Sequence, residues 1–336
     1  MNKFHVGLVG AGLIGRDHAI TLSNLPQVKQ LSIFDQDAKR AQQVAEEFNA
    51  QAVASLRELI DNCDIVWICT PPFVRREPIQ EACRAGKPIF CEKPFAITAK
   101  ECGALEAIIH KAGVPFFMGQ SGRYSSFFVK MKSLVEQGVV GTPTTVWCTR
   151  LGQLDPRTAP AWRLDDSLSG GTVIELGVHE IDFLRWIGGD WQSVYARGSS
   201  DILVPGEFQD TVSAIGTLAN GATARLSISW ASPRYLWQRG VEGTEGSLFF
   251  DDSNVREVVL HRPGKTPKIH KTGDWQNHET KENLSLRDQT MAVLKTLANG
   301  GAPPVTMDDG IAAVQAALAM RESARSGRVV QIKQKI

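Results

Sequence analysis

The chain has 336 residues, of which 43% are hydrophobic and 22% are charged, and its formal net charge is +1. This length predicts two domains, and the composition is typical of a folded globular protein. The balanced charge argues against nucleic acid or an acidic membrane as the main partner, and no apolar run reaches the ~20 residues of a membrane-spanning helix. Because the six cysteines are scattered without a C-x-x-C pair, we expect reduced thiols in a cytoplasmic protein.

The first elements form a glycine-rich turn between a strand and a helix. An apolar strand at His5–Val9 runs into Gly10-x-Gly12-x-x-Gly15, and the next strand ends at Asp35, about 20 residues later. This spacing is typical of a dinucleotide-binding βαβ unit. Gly10 allows a tight turn, Gly12 lets a pyrophosphate approach the backbone, and Gly15 lets the first helix lie close to the sheet.

The same residues predict a nicotinamide or flavin cofactor. Free N–H groups at the helix start, where Leu13 and Ile14 lie, would bind the phosphates. The Asp35 carboxylate would accept hydrogen bonds from the adenosine ribose and repel a 2′-phosphate, so we expect NAD rather than NADP. A methyl-donor or flavin enzyme shares the glycine pattern, and this alternative stays open.

Strand and helix patterns alternate up to about residue 120, which predicts a parallel sheet covered on both faces. Further strands are expected at Gln30–Asp35, Ala52–Ala54, Ile65–Cys69, Pro88–Cys91 and Pro115–Met118. Helices are expected at Ala38–Phe48, Leu56–Asn62, Arg75–Ala85 and Ala99–Ala112. We therefore assign residues 1–121 to a Rossmann domain that binds NAD.

Ligands of such sheets bind at the carboxyl ends of the strands, and three strand ends carry candidate residues. These are Thr70-Pro71, Glu92-Lys93-Pro94 and Gln120, with Arg123 shortly after. Pro94 restricts Lys93 to extended geometry, so its side chain stays at the strand end. A lysine there can donate a hydrogen bond to a substrate oxygen and stabilise an alkoxide. A surface lysine is the alternative that the residues leave open.

After residue 121 the pattern becomes rich in strands. They are expected at Thr144–Arg150, Ser193–Ser199, Thr211–Leu218, Ala222–Trp230, Arg239–Glu242, Ser247–Phe250, Glu257–His261 and Arg328–Lys333. Helices are expected at Phe127–Gln137, Thr172–Ile187, Leu286–Ala298 and Gly310–Ser326. Residues 122–336 thus predict an α/β domain with a large, mostly antiparallel open sheet.

The polar segment Arg262–Asn283 is expected to form a loop or an irregular hairpin. Three histidines fall around it, His261, His270 and His278. Their spacing matches no usual metal-ligand motif and no cysteine is near, so we expect no metal site.

The helix predicted at Thr172–Ile187 places acidic residues around a histidine. Glu175 and His179 are four residues apart, and His179 and Asp182 are three apart, so all three would share one helix face. A carboxylate can fix the imidazole tautomer, which lets the other ring nitrogen take or give a proton. A structural histidine is the alternative.

In combination, these motifs resemble the glucose–fructose oxidoreductase / inositol dehydrogenase / rhizopine-catabolism (Gfo/Idh/MocA) family over nearly the whole chain. They are Gly10-x-Gly12-x-x-Gly15, Thr70-Pro71-Pro72, Glu92-Lys93-Pro94, Trp162-Arg163, Gly170-Gly171, Gly177-Val-His179-Glu-Ile-Asp182, Glu242-Gly-Thr-Glu-Gly246 and Glu322-Ser-Ala-Arg-Ser-Gly327. The resemblance implies a Rossmann domain followed by an α/β domain. It also implies assembly through the open sheet of the second domain, as a homodimer or homotetramer.

The resemblance further implies that Lys93 is the catalytic lysine and that His179 transfers the proton. The chain departs from the family pattern at three places. Glu175 stands where aspartate is common, Pro72-Phe-Val-Arg75 where asparagine and a later histidine are common, and Ser121 where asparagine is common. Substrate identity therefore cannot be copied from any one member.

These assignments lead to one functional hypothesis, the reversible oxidation of a secondary or hemiacetal alcohol of a sugar, inositol or related hydroxy compound. His179 would remove the hydroxyl proton and Lys93 would stabilise the alkoxide, while a hydride moves to NAD. Lys93, Arg123, Trp162, Arg163, Glu175 and His179 are the candidate substrate-binding residues, because aromatic faces and arginine forks suit polyols and sugar acids.

Two other functions remain open for this sequence. Tightly bound NAD could serve as an internal redox relay without release of NADH. Alternatively, the same scaffold could sense a ligand without turnover, although the presence of both Lys93 and His179 disfavours that hypothesis.

Overall fold

The computed structural model describes residues 3–200, 202–203, 209–252 and 257–332. The chain packs into two compact units. The first contains Met1–Ala96, Lys100–Tyr124 and Trp275–Gly310, and the second contains Ile97–Ala99, Ser125–Asp274 and Ile311–Ile336. The first unit thus includes Trp275–Gly310, a segment from near the end of the chain. From the change of pattern after residue 121, this segment was expected in the second domain.

A six-stranded parallel sheet forms the first unit, in the order β3-β2-β1-β4-β5-β6. Its strands are β1 (Phe4–Val9), β2 (Val28–Phe34), β3 (Gln51–Ala52), β4 (Ile65–Ile68), β5 (Ile89–Glu92) and β6 (Phe116–Gly119). Since β1 pairs with β2 on one side and β4 on the other, the turn after β1 lies where the strand order reverses. Doubly wound sheets bind ligands at that point.

Six helices belong mainly to this unit. They are α1 (Leu13–Asn24), α2 (Ala38–Glu47), α3 (Leu56–Asn62), α4 (Arg76–Arg84), α5 (Ala99–Ala112) and α10 (Leu284–Asn299). Val293 of α10 is buried in the same core as Leu8 and Leu22, and Leu297 packs against it. This apolar contact explains why the segment containing α10 belongs to the first unit.

The second unit is built on a nine-stranded sheet in the order β14-β13-β12-β11-β7-β10-β9-β8-β15. Its strands are β7 (Pro143–Gln153), β8 (Trp191–Ser199), β9 (Thr211–Leu218), β10 (Thr223–Ser229), β11 (Ala231–Gly243), β12 (Ser247–Asp251), β13 (Glu257–His261), β14 (Lys268–Lys271) and β15 (Val330–Gln331). Among the described strands of this sheet, only β10 and β7 pair in parallel, so the expected mostly antiparallel sheet is confirmed.

Aromatic side chains fill the space between this sheet and its helices. Phe127 stacks on Phe250 with ring centroids 4.3 Å apart, and Phe128 lies 5.1 Å from the Phe183 ring. The helices of this unit are α6 (Ser126–Glu136), α7 (Asp166–Ser169), α8 (Gly171–Glu175), α9 (Val178–Gly188) and most of α11 (Met307–Ser326). In the described part of the chain, no helix is long and apolar enough to cross a membrane.

Two elements differ clearly from the expected ones. The helix expected at Thr172–Ile187 is divided into α8 and α9. β11 begins at Ala231 rather than Arg239, and its irregular start contains Pro233, which weakens the strand pattern. β14 lies within the segment expected to form a loop or an irregular hairpin, and it pairs antiparallel with β13 at the sheet edge. Lys333 of the expected last strand lies outside the described residues.

Candidate active site

The glycine-rich turn after β1 has three different environments. Gly10 has φ +96°, and a Cβ on Gly15 would lie 1.9 Å from the Gly10 carbonyl oxygen. In contrast, no described atom lies within 4 Å of a Cβ placed on Gly12. Gly10 therefore permits the turn, Gly15 permits the close approach of α1, and Gly12 leaves room for a ligand at the helix start.

The Asp35 carboxylate lies beside this turn, immediately after β2. Oδ2 accepts a hydrogen bond from the Ala11 backbone N–H at 2.8 Å, and Oδ1 accepts one from the Asp37 N–H at 2.9 Å. Arg40 Nη1 is 3.7 Å from Oδ2. Sequence reasoning missed Arg40, a cation that could attract a 2′-phosphate next to the carboxylate expected to repel it.

The remaining cofactor candidates of this unit lie near the carboxyl ends of the strands. Leu13 is 73% exposed at the start of α1, with Ile14 after it, and Gln120 is buried after β6. Thr70 and Pro71 follow β4, and no described group forms a hydrogen bond with the buried Thr70 Oγ1. The unpartnered hydroxyl and the space before Gly12 fit a bound dinucleotide.

Lys93 directly follows β5 and is half-buried. Its backbone N–H donates to Glu92 Oε2 at 3.0 Å, and its bond to Pro94 is cis. Burial raises the pKa of the Cys91 thiol to about 11, so this cysteine stays protonated at neutral pH. Cys91 therefore supplies no thiolate beside Lys93 at this strand end.

Arg123 is engaged within the first unit. Its Nη2 lies 3.0 Å from Asp309 Oδ1, and Asp309 Oδ2 accepts hydrogen bonds from the Thr306 N–H and hydroxyl. This pair neutralises the guanidinium and ties the 3₁₀ turn Ser121–Tyr124 to the start of α11. The ion-pair alternative for Arg123 is thus present, and a substrate contact would have to compete with it.

In the second unit, the segment with the candidate histidine is not one continuous helix. The Gly177 N–H donates to the Thr172 carbonyl, five residues back, at 3.0 Å, and α9 starts only at Val178. The expected four-residue spacing of Glu175 and His179 therefore spans a helix break. A Cβ on Gly177 would lie 2.4 Å from the Val173 carbonyl oxygen, so glycine permits this break.

Glu175 forms an ion pair with another candidate residue. Arg163 Nε lies 3.1 Å from Glu175 Oε1, and the Arg163 guanidinium carbon is 5.5 Å from the Trp162 ring centroid. The structure thus brings three of the candidate substrate residues together. Glu175 therefore offsets the charge of Arg163.

His179 is half-buried on the first turn of α9, next to a fully buried acid, Glu180. Glu180 pairs with Arg150 on β7, at 3.1 Å, and with Arg239 on β11. Burial lowers the pKa of Arg239, whose guanidinium lies 3.7 Å from the Phe128 ring centroid. This buried cluster, which sequence reasoning missed, attaches α9 to the sheet beside His179.

The candidates therefore fall into two groups. The glycine turn, Asp35, Thr70, Lys93 and Arg123 belong to the first unit, with the other cofactor candidates. Trp162, Arg163, Glu175 and His179 belong to the second. Sequence reasoning also missed His18 of the first unit, which contacts Glu92, and it named Arg75 only as part of a departure from the family pattern, not as a buried residue that contacts Pro94. Patterns of polar residues at strand ends do not reveal such contacts.

One cluster of potential metal ligands occurs in the described part of the chain. It comprises Glu106, His110 and Asp308, of which the last two are exposed. The three histidines around Arg262–Asn283 are not part of it.

Models of known protein families match parts of both units. A model described as "Oxidoreductase family, NAD-binding Rossmann fold" matches residues 4–120, and one described as "GFO/IDH/MocA C-terminal domain" matches residues 128–249. An uncharacterized oxidoreductase, YrbE of Bacillus subtilis, is 30% identical, over 97% of this chain and 96% of its own length. Myo-inositol dehydrogenase Hyg17 of Streptomyces leeuwenhoekii is also 30% identical, over 96% and 98%.

A solved structure shows the same fold. Levoglucosan dehydrogenase in complex with NADH and levoglucosan aligns with a TM-score of 0.88 at 23% identity, over 99% of this chain and 100% of that one.

The glycine turn gives a paired prediction. Gly15→Ala should destabilise the protein by about 1–3 kcal/mol, because its Cβ overlaps the Gly10 carbonyl. Gly12→Ala should change stability by less than about 0.5 kcal/mol but weaken NAD binding, because its Cβ occupies only the open space. Chemical unfolding and NADH fluorescence titration measure the two effects. Wild-type affinity in Gly12→Ala would contradict the assignment of this space to the cofactor.

Proposed function

Since the chain belongs to the GFO/IDH/MocA oxidoreductase family, we propose that it is an NAD-dependent dehydrogenase of a secondary or hemiacetal alcohol. The substrate is a sugar, an inositol or a related hydroxy compound. The observation that carries the proposal is the position of Lys93 directly after β5. Gly12 follows β1 and Thr70 follows β4, and β1, β4 and β5 are neighbouring strands of the same parallel sheet. The carboxyl ends of these strands form the ligand-binding edge.

The residues take distinct roles in this proposal. His179 accepts the hydroxyl proton, and the Lys93 ammonium group stabilises the negative charge that develops on the same oxygen. Bound NAD accepts or returns the hydride. Trp162 contributes an aromatic face to the carbohydrate, and the paired Arg163 and Glu175 offer one donor and one acceptor to its hydroxyl groups.

Two observations support a neutral, hydroxyl-rich substrate. The relatives with substrate names include dehydrogenases of myo-inositol and levoglucosan. The charge of Arg163 is offset by Glu175, and that of Arg123 by Asp309.

A cytoplasmic location is part of the proposal, because all six cysteines are free thiols, as in a reducing compartment.

The catalytic roles predict large losses of turnover. His179→Ala should lower kcat by about 10²–10⁴, the usual contribution of a positioned base, and should leave NAD affinity unchanged. Lys93→Ala should also lower kcat strongly, because the charge of the alkoxide loses its partner. The measurement is NADH formation at 340 nm with a panel of sugars, anhydrosugars, inositols, sugar acids and aromatic hydroxy compounds.

His261→Ala and Lys111→Ala, which change exposed residues, are the matched controls and should behave as wild type. Full turnover in His179→Ala would contradict its role. NAD that copurifies with the protein, without net NADH formation, would favour an internal redox relay. Exchangeable NAD binding without turnover on any substrate would favour a ligand sensor.

Cofactor preference is predicted to depend on Asp35. Asp35→Ser should weaken NAD binding by about 10–100-fold, because hydrogen bonds to a charged group contribute ~1.5–3 kcal/mol. It should also strengthen the binding of NADP relative to that of NAD. The carboxylate that repels the 2′-phosphate is then gone, whereas Arg40, which attracts it, remains. Asp37→Ala is the control, since Asp37 caps α2 and also pairs with Arg40. Unchanged preference in Asp35→Ser, by titration with NADH and NADPH, would refute the assignment.

We also propose that the nine-stranded sheet joins copies of the chain into a homodimer or homotetramer. Paired residues form one row across its open face, named here the Trp147 row. It comprises Tyr195, Ile215, Arg225, Trp147, Gly240, Phe249, Val259 and Ile269. Ile215 and Ile269 are 50% and 55% exposed, and the Trp147 ring covers Gly240. Apart from Arg225 the row has no charged side chain, and a largely apolar row on an open sheet is typical of an interface.

This assembly predicts an effect of charge on the row. Ile215→Arg should lower the molar mass measured by light scattering after size exclusion, because it buries a charge next to Arg225. Val329→Arg changes a residue of similar exposure, 60%, outside the row and should keep the wild-type mass. An unchanged mass in both variants, if wild type is an oligomer, would place the interface elsewhere.

A further inference from the structure

The backbone of Lys93 is held on both sides by buried charged groups. Before it, Glu92 Oε2 accepts the Lys93 N–H at 3.0 Å. After it, Arg75 Nη1 donates to the carbonyl oxygen of Pro94. Glu92 is 4% exposed and Arg75 is 1% exposed. Such contacts in a water-poor environment fix a backbone segment more firmly than exposed ones do.

Glu92 is itself oriented by two residues from other elements. Its Oε1 lies 2.9 Å from His18 Nε2, and the Trp67 indole N–H donates to His18 Nδ1 at 3.1 Å. An indole nitrogen only donates, so Nδ1 must be the acceptor, and Nε2 carries the proton of a neutral imidazole. Trp67 thus donates to His18 and His18 donates to Glu92, and the other oxygen of the same carboxylate accepts the N–H of Lys93.

Arg75 connects two neighbouring strand ends. Besides Pro94, its guanidinium donates to the Thr70 carbonyl oxygen at 2.7 Å. Thr70 follows β4, and Pro94 follows β5, so a single buried side chain sets the distance between the two segments. Lysine could not replace it, because an ammonium group at the end of a flexible stem lacks the planar fork that reaches two carbonyls.

We propose that Arg75, together with Glu92 and His18, is a positioning device for Lys93. This inference rests on the proposed catalytic role of Lys93. The device fixes the backbone on either side of the lysine, so that its ammonium group meets the reacting oxygen without a search for the correct geometry. Arg75 also links that geometry to Thr70, one of the proposed cofactor residues.

The test compares neighbouring arginines. Arg75→Lys and Arg75→Met should lower kcat by about 10–100-fold, since a misplacement of about 1 Å can cost ~10² in rate. KM for the substrate should change by less than about 3-fold, because Lys93 still carries its charge. Arg76→Met removes an exposed arginine that pairs with Glu101 and should behave as wild type. Equal kcat in wild type and both Arg75 variants would overturn the proposal.

A second readout does not need turnover. In protein labelled with ¹⁵N-lysine, the Lys93 amide signal is assigned by its absence from Lys93→Arg. Its chemical shift should move in Arg75→Lys and in Glu92→Gln and remain in place in Arg76→Met. If the wild type turns over no substrate, the proposed function fails, and the amide signal alone decides on the positioning device. An unmoved Lys93 signal in folded Arg75→Lys and Glu92→Gln would overturn the device even if the enzyme is active.

Discussion

The close packing of α1 against the turn after β1 is the constraint on which the first unit depends. A side chain at Gly15 would collide with the Gly10 carbonyl, so only glycine lets the helix lie this near the sheet. One turn further on, His18 then reaches beyond β1 to Trp67 on β4 and Glu92 on β5. The glycine that lets the helix start point at a phosphate site also brings a buried imidazole to the strand end with Lys93.

The two units hold their proposed catalytic residues in a similar way. In each, a proposed catalytic residue is next in sequence to a buried glutamate that is held by groups from other elements. Lys93 follows Glu92, which His18 contacts, and His179 precedes Glu180, which Arg150 and Arg239 contact. A buried carboxylate that loses its partners is costly, so the surrounding elements keep one arrangement. Lys93 and His179 therefore each lie next to a fixed residue, while their own half-buried side chains stay accessible to ligands.

The parallel sheet, the glycine turn and most boundaries of the first unit could be predicted, because they depend on local patterns. Apolar strands, stop signals such as Gly86 and Gly113, and the spacing to Asp35 all lie within short windows of sequence. The break between α8 and α9 was missed because the apolar pattern continues through Leu176 and Gly177. The packing of α10 on the first unit was missed because its apolar face could fit either core; only the burial of Val293 in the same core as Leu8 and Leu22 assigns it.

For the candidate site, the sequence indicated the residues that are proposed to face a ligand, but not the buried residues that contact their neighbours. Lys93 and His179 stand in motifs, whereas His18, Arg75 and Arg239 meet their partners across long separations that no spacing rule connects. Arg75 shows the difference most clearly: the sequence marks it only as part of a departure from the family pattern, at a helix start where an arginine is usually an exposed surface residue. Its neighbour Arg76 is such a residue, paired with Glu101 at the surface. Arg75 instead turns inward, and the two carbonyls it binds are what allow a guanidinium to be buried beside the proposed catalytic lysine.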